Sequence, residues 1–145
     1  MTIEELEQMW EKDSEIDSVR LDSASLDTPK LQNKYLKLSN GVKLLILQLE
    51  GKYNDLAHLK GLYYSGKMSK EELEMNGWEP YHIRVLKNDL RSYYEADADL
   101  KKIRLKIDYN KIMELYLKEI IEQLNKRTWM VSNAIKFRQF TSGES

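Results

Sequence analysis

Hydrophobic residues recur at alternating steps of four and three along residues 28–66. The members of this series are Leu31, Tyr35, Leu38, Val42, Leu45, Leu49, Leu56, Leu59 and Tyr63, and Lys52 alone interrupts it. A four-three repeat keeps one face of a helix against a partner helix. The pattern therefore predicts a long helix with a single apolar seam.

The start of this helix is predicted at Thr28-Pro29, because a threonine cap followed by proline in the first turn is a favoured opening. Asn40-Gly41 is a possible turn that would split the helix in two. The series keeps its phase across Gly41, Gly51 and Gly61, which favours one continuous helix.

The rest of the chain also reads as helical, which predicts an all-α fold with long helices and a short first helix. Before the long helix, we predict a helix that is capped by Thr2 and Glu5 and ends near Asp13, followed by a connector over 14–27. After it, we predict a short helix over 70–75 and a helix over 81–99. The last elements are a long helix that starts at 97–99 and has a weak point at 125–128, and a final amphipathic helix over 129–140. We expect one domain over 1–145. It comprises an acidic segment 1–27, a helical core with a basic strip 28–128, and a last helix and tail 129–145.

The last helix has a large apolar stripe near the end of the chain, where helices usually fray. It either folds back onto its own bundle or docks on another subunit, and the pattern by itself favours folding back. Its apolar residues are Trp129, Val131, Ile135, Phe137 and Phe140.

Composition narrows the class of protein. The chain has 145 residues, 41% of them hydrophobic and none of them cysteine, which excludes disulfides and fits a reducing compartment. Its first residues lack the apolar run of a signal peptide, and no run approaches 18 apolar residues. We expect a protein without a membrane partner that stays in the cytoplasm.

Charge alternates strongly along the chain although the net charge is only −1. Residues 1–27 carry nine acids and two bases, 28–70 two acids and eight bases, 71–100 eight acids and three bases, and 101–145 five acids and ten bases. The acidic segments either cover the basic ones within the fold, which is the commoner outcome, or leave them free for a polyanion.

Motifs for catalysis are absent. The two histidines, His58 and His82, are not accompanied by cysteine or by an HExxH arrangement, so no metal site is expected. No phosphate-binding glycine loop and no GxSxG motif occur, and the many carboxylate pairs are typical of helix starts and solvated faces. We therefore expect neither an enzyme nor a cofactor.

Basic and aromatic residues alternate near the end of the long helix. The candidate nucleic-acid-binding residues are Lys52, His58, Lys60, Tyr63, Tyr64, Lys67 and Lys70. Lysines can neutralise phosphates, and tyrosine rings can stack on unpaired bases. The alternative is that the tyrosines are core or hinge residues and the lysines are ordinary surface charges.

Several short motifs, collinear along the chain, resemble those of the UvsY family, the recombination mediators of tailed phages with large genomes. They are Tyr63-Tyr64-Ser65-Gly66 preceded by His58 and Lys60, Asp17-Ser18 with Leu21, Val85-Leu86 with Asp89, and Arg127-x-Trp129 through Ile135, Arg138, Phe140 and Gly143. The similarity covers almost the whole chain and depends on the collinear order of these motifs.

This resemblance implies a helical homo-oligomeric ring, a hexamer or heptamer, that binds single-stranded DNA in the host cell cytoplasm. Its implied partners are a RecA-like recombinase and the single-stranded DNA-binding protein that the recombinase must displace. The family's basic pair before the Tyr-Tyr-Ser-Gly motif corresponds to His58 and Lys60. His58 departs from the family pattern because a histidine is largely neutral at pH 7.

The resemblance also assigns subunit assembly to the last helix, so that Trp129, Val131, Ile135, Phe137 and Phe140 become an intersubunit seam. The main alternative is a coiled-coil adaptor or structural oligomer that binds no DNA. A small hydrolase that uses clustered carboxylates is a third hypothesis.

Overall fold

A computed structural model describes residues 1–143, and the helices account for most of them. The elements are α1 (Ile3–Asp13), α2 (Leu21–Tyr64), α3 (Lys70–Asn76), a 3-10 turn (Lys87–Asp89), α4 (Leu90–Ala96) and α5 (Ala98–Thr141). Within these described residues there is no strand, so the predicted all-α class is confirmed. None of the helices described is long and apolar enough to span a membrane.

The predicted caps of the short helices are confirmed. The Thr2 side chain accepts a hydrogen bond from the Glu5 amide, and the Glu5 carboxylate accepts one from the Thr2 amide. The Ser69 side chain caps α3 by accepting a hydrogen bond from the Glu72 amide, and Gly77 ends that helix with a positive φ of 68°.

The predicted start of the long helix at Thr28 is wrong, because α2 begins at Leu21. The Thr28 hydroxyl is buried and donates to the Ala24 carbonyl one turn back, so it caps nothing. Leu21 and Ala24 are buried with Val131, and their packing extends the helix through Pro29 in spite of the missing N–H.

The buried seam of α2 has the period of a straight helix and departs from the four-three series. After Val42 the buried position is Ile46, whereas Leu45 is 42% exposed. An α-helix has 3.6 residues per turn, so a strict seven-residue repeat drifts away from the buried face. The same drift brings Lys60 into the buried face in place of Leu59.

Both long helices are continuous. The predicted continuity of α2 across its three glycines is confirmed, whereas the predicted weak point at 125–128 and the separate final helix are wrong. Arg127 is buried there, and its guanidinium donates to the backbone carbonyls of Asp13 and Glu15. The predicted helix over 81–99 is replaced by an irregular segment before the 3-10 turn and α4.

The chain divides into two compact units, of which the first comprises Met1–Lys43 and residues 112–143. Tyr35 is central to this unit, with its ring fully buried against Trp10 and its hydroxyl donating to Asp13 at 2.8 Å. Lys34 donates to the same carboxylate oxygen at 2.6 Å.

The second unit, Leu44–Lys111, comprises the later turns of α2, the short helices and the first turns of α5. Its buried apolar residues are Ile46, Leu49, Val85, Leu100 and Ile107. The expectation that residues 1–145 act as one domain stays a prediction.

Candidate nucleic-acid interface

The Tyr-Tyr-Ser-Gly sequence ends α2. Gly66 has a positive φ of 73°, a conformation that glycine adopts without strain. The Gly66 amide donates to the Tyr63 carbonyl and the Lys67 amide to the Leu62 carbonyl, which satisfies the last turn. The chain therefore reverses at this point, and the helix end faces the segment that follows α3.

An aromatic cluster holds that segment against the helix end. Tyr63, Tyr64, Trp78, Tyr81 and Tyr93 form it, and the Tyr64 ring centroid lies 5.0 Å from that of Tyr81 and 5.4 Å from that of Tyr93. The Tyr63 hydroxyl donates to the Glu79 carbonyl at 2.7 Å. The two motif tyrosines are half-buried and occupied by these contacts.

Asp97 joins α2 to the start of α5. Its Oδ1 accepts hydrogen bonds from the Asp99 and Leu100 amides, so it caps α5. Its Oδ2 accepts one from the Tyr64 hydroxyl at 2.5 Å. Burial raises the pKa of Asp97, but hydrogen bonds from Tyr64, the Leu100 amide and Lys60 outweigh burial and lower it below its usual value.

Lys60 is buried in this network. Its ammonium lies 3.1 Å from Asp97 and 2.9 Å from Asp99, and 4.2 Å from the ring centroid of Trp78. Burial lowers the pKa of Lys60, but the hydrogen bonds to Asp99 and Asp97 outweigh it, so the pKa is raised. Two carboxylates and a ring thus surround this ammonium, and the role of Lys60 as a DNA contact stays a prediction.

The other predicted cations are exposed. Lys52, His58, Lys67 and Lys70 have no ion-pair partner among residues 1–143. His58 and Lys67 lie at one groove, which Lys52 and Lys70 do not line. The sequence-predicted set thus divides into a buried structural part and an exposed basic part.

The groove encloses about 410 Å³ between the last turns of α2 and residues 84–94. Lys67, Arg84 and Lys87 line it together with His58, and no carboxylate is among its lining residues. Arg84 and Lys87 are exposed and unpaired in the described structure. Neither residue was predicted as a site residue, because a helix was expected over 81–99; the signal in the sequence was the alternation of these cations with apolar residues over 83–87.

Gly61 and Tyr94 both line the groove, and they approach each other closely. A Cβ built at this position would lie 2.5 Å from the Tyr94 hydroxyl, so a side chain here would displace the ring. Gly41 and Gly51 have no neighbour within 4 Å of such a Cβ. Of the three glycines inside α2, only Gly61 occupies a position where a larger residue would collide with a neighbouring side chain.

The predicted assembly residues lie on two faces of α5. Val131 is buried with Leu21 and Ala24, and Ile135 packs against the same cluster. Trp129, Phe137 and Phe140 are exposed and fall within about 80° of one another around the helix axis. The face with Val131 and Ile135 thus folds back onto the protomer, whereas the face with the three aromatic residues points outward.

The charged groups around the groove suit ionic binding of a polyanion. In the part of the chain that the structure describes, no group of three or more His, Cys, Asp or Glu residues could hold a metal ion. The lysine and arginine side chains around this acid-free groove provide a positive potential for a polyanion.

The fold and this groove define an all-α protein with a basic surface suited to a polyanion. The family model described as "Recombination, repair and ssDNA binding protein UvsY" matches residues 9–144. The chain therefore belongs to the UvsY family.

Relatives agree with this assignment over nearly the full length. The recombination protein UvsY of Enterobacteria phage T4 is 23% identical over 144 residues, covering 99% of this chain and 100% of that protein. A crystal structure of the bacteriophage T4 recombination mediator protein UvsY superposes with a TM-score of 0.84 at 22% identity, covering 98% of each chain. A second crystal form gives 0.83 at 21% identity, covering 97% of this chain and 99% of the other.

Proposed function

We propose that this protein binds single-stranded DNA and helps a RecA-like recombinase load onto strands coated by single-stranded DNA-binding protein. It acts by stoichiometric binding and not as an enzyme, in recombination, repair and recombination-dependent replication of a phage within the host cytoplasm. Family membership over residues 9–144 and the name of the phage T4 relative support this proposal.

The observation that carries DNA binding is the basic surface at the end of α2. His58, Lys67, Arg84 and Lys87 line one groove without a carboxylate, and Lys52 and Lys70 add exposed cations nearby in sequence. Phosphate contacts of this kind are independent of sequence and weaken as salt rises. Lys60 and Tyr64 support this surface by holding the end of α2 against the start of α5, and Tyr63 holds it against Glu79.

Assembly into a ring, a hexamer or heptamer, would multiply these modest contacts. A strand that touches several subunits gains avidity although each contact is weak. The outward face of α5 with Trp129, Phe137 and Phe140 is a candidate intersubunit surface. Further exposed apolar residues on the long helices are Leu36, Leu44, Leu47, Leu105, Ile112 and Leu115.

The test has two stages. Fluorescence anisotropy with a labelled homopolymer oligonucleotide, read across a salt series, is expected to show binding that weakens steeply with salt. Recombinase ATPase activity on DNA precoated with single-stranded DNA-binding protein is then expected to rise on addition of this protein.

Oligomers that bind no oligonucleotide at low salt would favour the adaptor hypothesis instead. Binding to DNA without any effect on the recombinase would leave a DNA-binding protein and overturn the mediator role. Light scattering with and without oligonucleotide separates these outcomes from a loss of assembly.

A further inference from the structure

Residues 82–87, an irregular segment that ends at the first residue of the 3-10 turn, form a strap across the end of α2. Val85 is the anchor of this strap, since its side chain is 5% exposed and its amide donates to the Tyr64 carbonyl at 2.9 Å. Tyr81, just before the strap, packs in the aromatic cluster with a centroid distance of 5.6 Å to Tyr63. The strap is therefore held at defined points on the helix end.

Side chains on both sides of the anchor are turned outward. Ile83 is 60% and Leu86 is 69% exposed, and each is followed by an exposed cation, Arg84 and Lys87. Leu86, Arg84 and Lys87 all line the basic groove. Leu86 thus places an apolar side chain between two unpaired cations in the lining of the groove, where a ligand that carries both charge and an apolar face could contact all three.

We propose that the strap and groove are the contact site for one stretch of single-stranded nucleic acid. Arg84, Lys87 and Lys67 bind successive phosphates, and Leu86, with Ile83 beside it, contacts the face of an unpaired base. This inference rests on the proposed function and specifies which residues perform it. Neither the motif at the end of α2 nor Lys60 supplies these contacts.

Charge complementarity identifies the occupant. The groove lining presents three permanent cations and a histidine with no acid, which suits a chain of phosphates. An arginine can also bind a phosphate with two parallel hydrogen bonds.

The exposed leucine explains a preference for single strands. In a duplex the base faces are covered by neighbouring bases, so only the phosphates are accessible to the groove. A single strand offers unpaired base faces that can cover Leu86 as well. Because Val85 and Tyr81 already fix the strap, little ordering is needed when the strand binds.

The experiment compares four full-length proteins by anisotropy on a labelled oligothymidylate across a salt series. They are the wild type, Arg84→Gln/Lys87→Gln, Leu86→Gln, and Lys101→Gln as a control cation that is exposed on α5 and outside the groove. The double variant is expected to flatten the plot of log K against log salt by about 0.7 for each phosphate that it no longer neutralises. Leu86→Gln is expected to weaken binding by roughly fivefold with the slope unchanged, since it removes apolar contact area with a base but no charge.

Each outcome bears on the inference. If the double variant binds with the wild-type slope, the strap is not the site, although the DNA-binding proposal survives. If the wild type binds no oligonucleotide, both proposals fail. If Leu86→Gln weakens a duplex and a single strand equally, or if polyglutamate displaces the strand as well as unlabelled oligonucleotide does, single-strand recognition by the strap is overturned. Circular dichroism of each variant confirms that it is folded.

Discussion

The ammonium of Lys60 lies 3.1 Å from the carboxylate of Asp97, and the two side chains are 8% and 3% exposed. This buried ion pair ties α2 to the residue that caps α5. Lys60, which the family resemblance implies as a DNA contact, is thus part of the core of the second unit in this protein.

Replacing Lys60 should therefore act on stability first. Lys60→Ala leaves Asp97 buried without its cation, and removing one partner of a buried pair typically costs about 3–5 kcal/mol. Asp99 is largely exposed and can be hydrated, so we expect a loss of about 3 kcal/mol. Urea unfolding measures it.

The control is Lys101→Ala, an exposed lysine on α5 for which a change within about 0.5 kcal/mol is expected. Lys60→Ala with wild-type stability would contradict the structural role. A folded Lys60→Ala variant with weaker DNA binding and unchanged unfolding would restore Lys60 as a direct phosphate contact.

Acid should weaken the fold through two carboxylates. Hydrogen bonds and nearby cations outweigh burial to hold the pKa of Asp97 and of Asp13 below the ordinary value of 3.8. A group with a lowered folded pKa contributes stability above its unfolded pKa and loses it as the pH falls through the folded value. The melting temperature should therefore fall progressively below about pH 4.

Thermal unfolding between pH 7 and pH 2 measures this loss. Asp97→Asn should be less stable at pH 7, because Lys60 then lacks a carboxylate, and should lose less stability on acidification. A wild-type and a variant curve that run parallel over the whole range would exclude Asp97 as a source of the acid sensitivity.

Local sequence rules predicted the features that depend on neighbours in the chain. The Thr2, Ser69 and Gly77 caps are of this kind, because each is decided within about four residues. The start of α2 was not predictable in this way, since Leu21 extends the helix only by packing against Val131, far along the chain.

The site was predictable only in part for the same reason. Lys60 was predicted from the sequence to be an exposed cation, because the carboxylates that pair with it, those of Asp97 and Asp99, are far along the chain, Asp99 being 39 residues away. Arg84 and Lys87 were hidden in a segment whose apolar residues suggested a helix. A single hydrogen bond from Val85 to the end of α2 helps hold it extended instead.

The glycines of α2 should respond differently to substitution by alanine. Gly51→Ala should stabilise the protein by about 0.5–1 kcal/mol, because glycine weakens a helix interior and no atom would contact the new methyl group. Gly61→Ala places its methyl group 2.5 Å from the Tyr94 hydroxyl, so it should gain less or destabilise.

Combining Gly61→Ala with Tyr94→Phe tests the cause. Removing the hydroxyl leaves Cζ at 3.7 Å, an ordinary contact, so the double variant should recover much of the helix benefit. Chemical unfolding of the four proteins in this cycle measures the coupling. Additive effects of the two substitutions would show that the hydroxyl does not restrict residue 61.

Substitutions on the two faces of the last part of α5 should have different effects, one on the stability of the protomer and the other on assembly. Val131 is 3% exposed and packs with Leu21 and Ala24, so Val131→Ala should cost about 2 kcal/mol. Trp129 is 74% and Phe140 is 81% exposed, so replacing both by serine should leave the unfolding free energy of the protomer nearly unchanged.

If this face joins subunits, the same double variant should have a much smaller mass by light scattering and should bind oligonucleotides more weakly because avidity is reduced. An unchanged mass for Trp129→Ser/Phe140→Ser would remove this face from the interface and direct attention to the exposed leucines of α2.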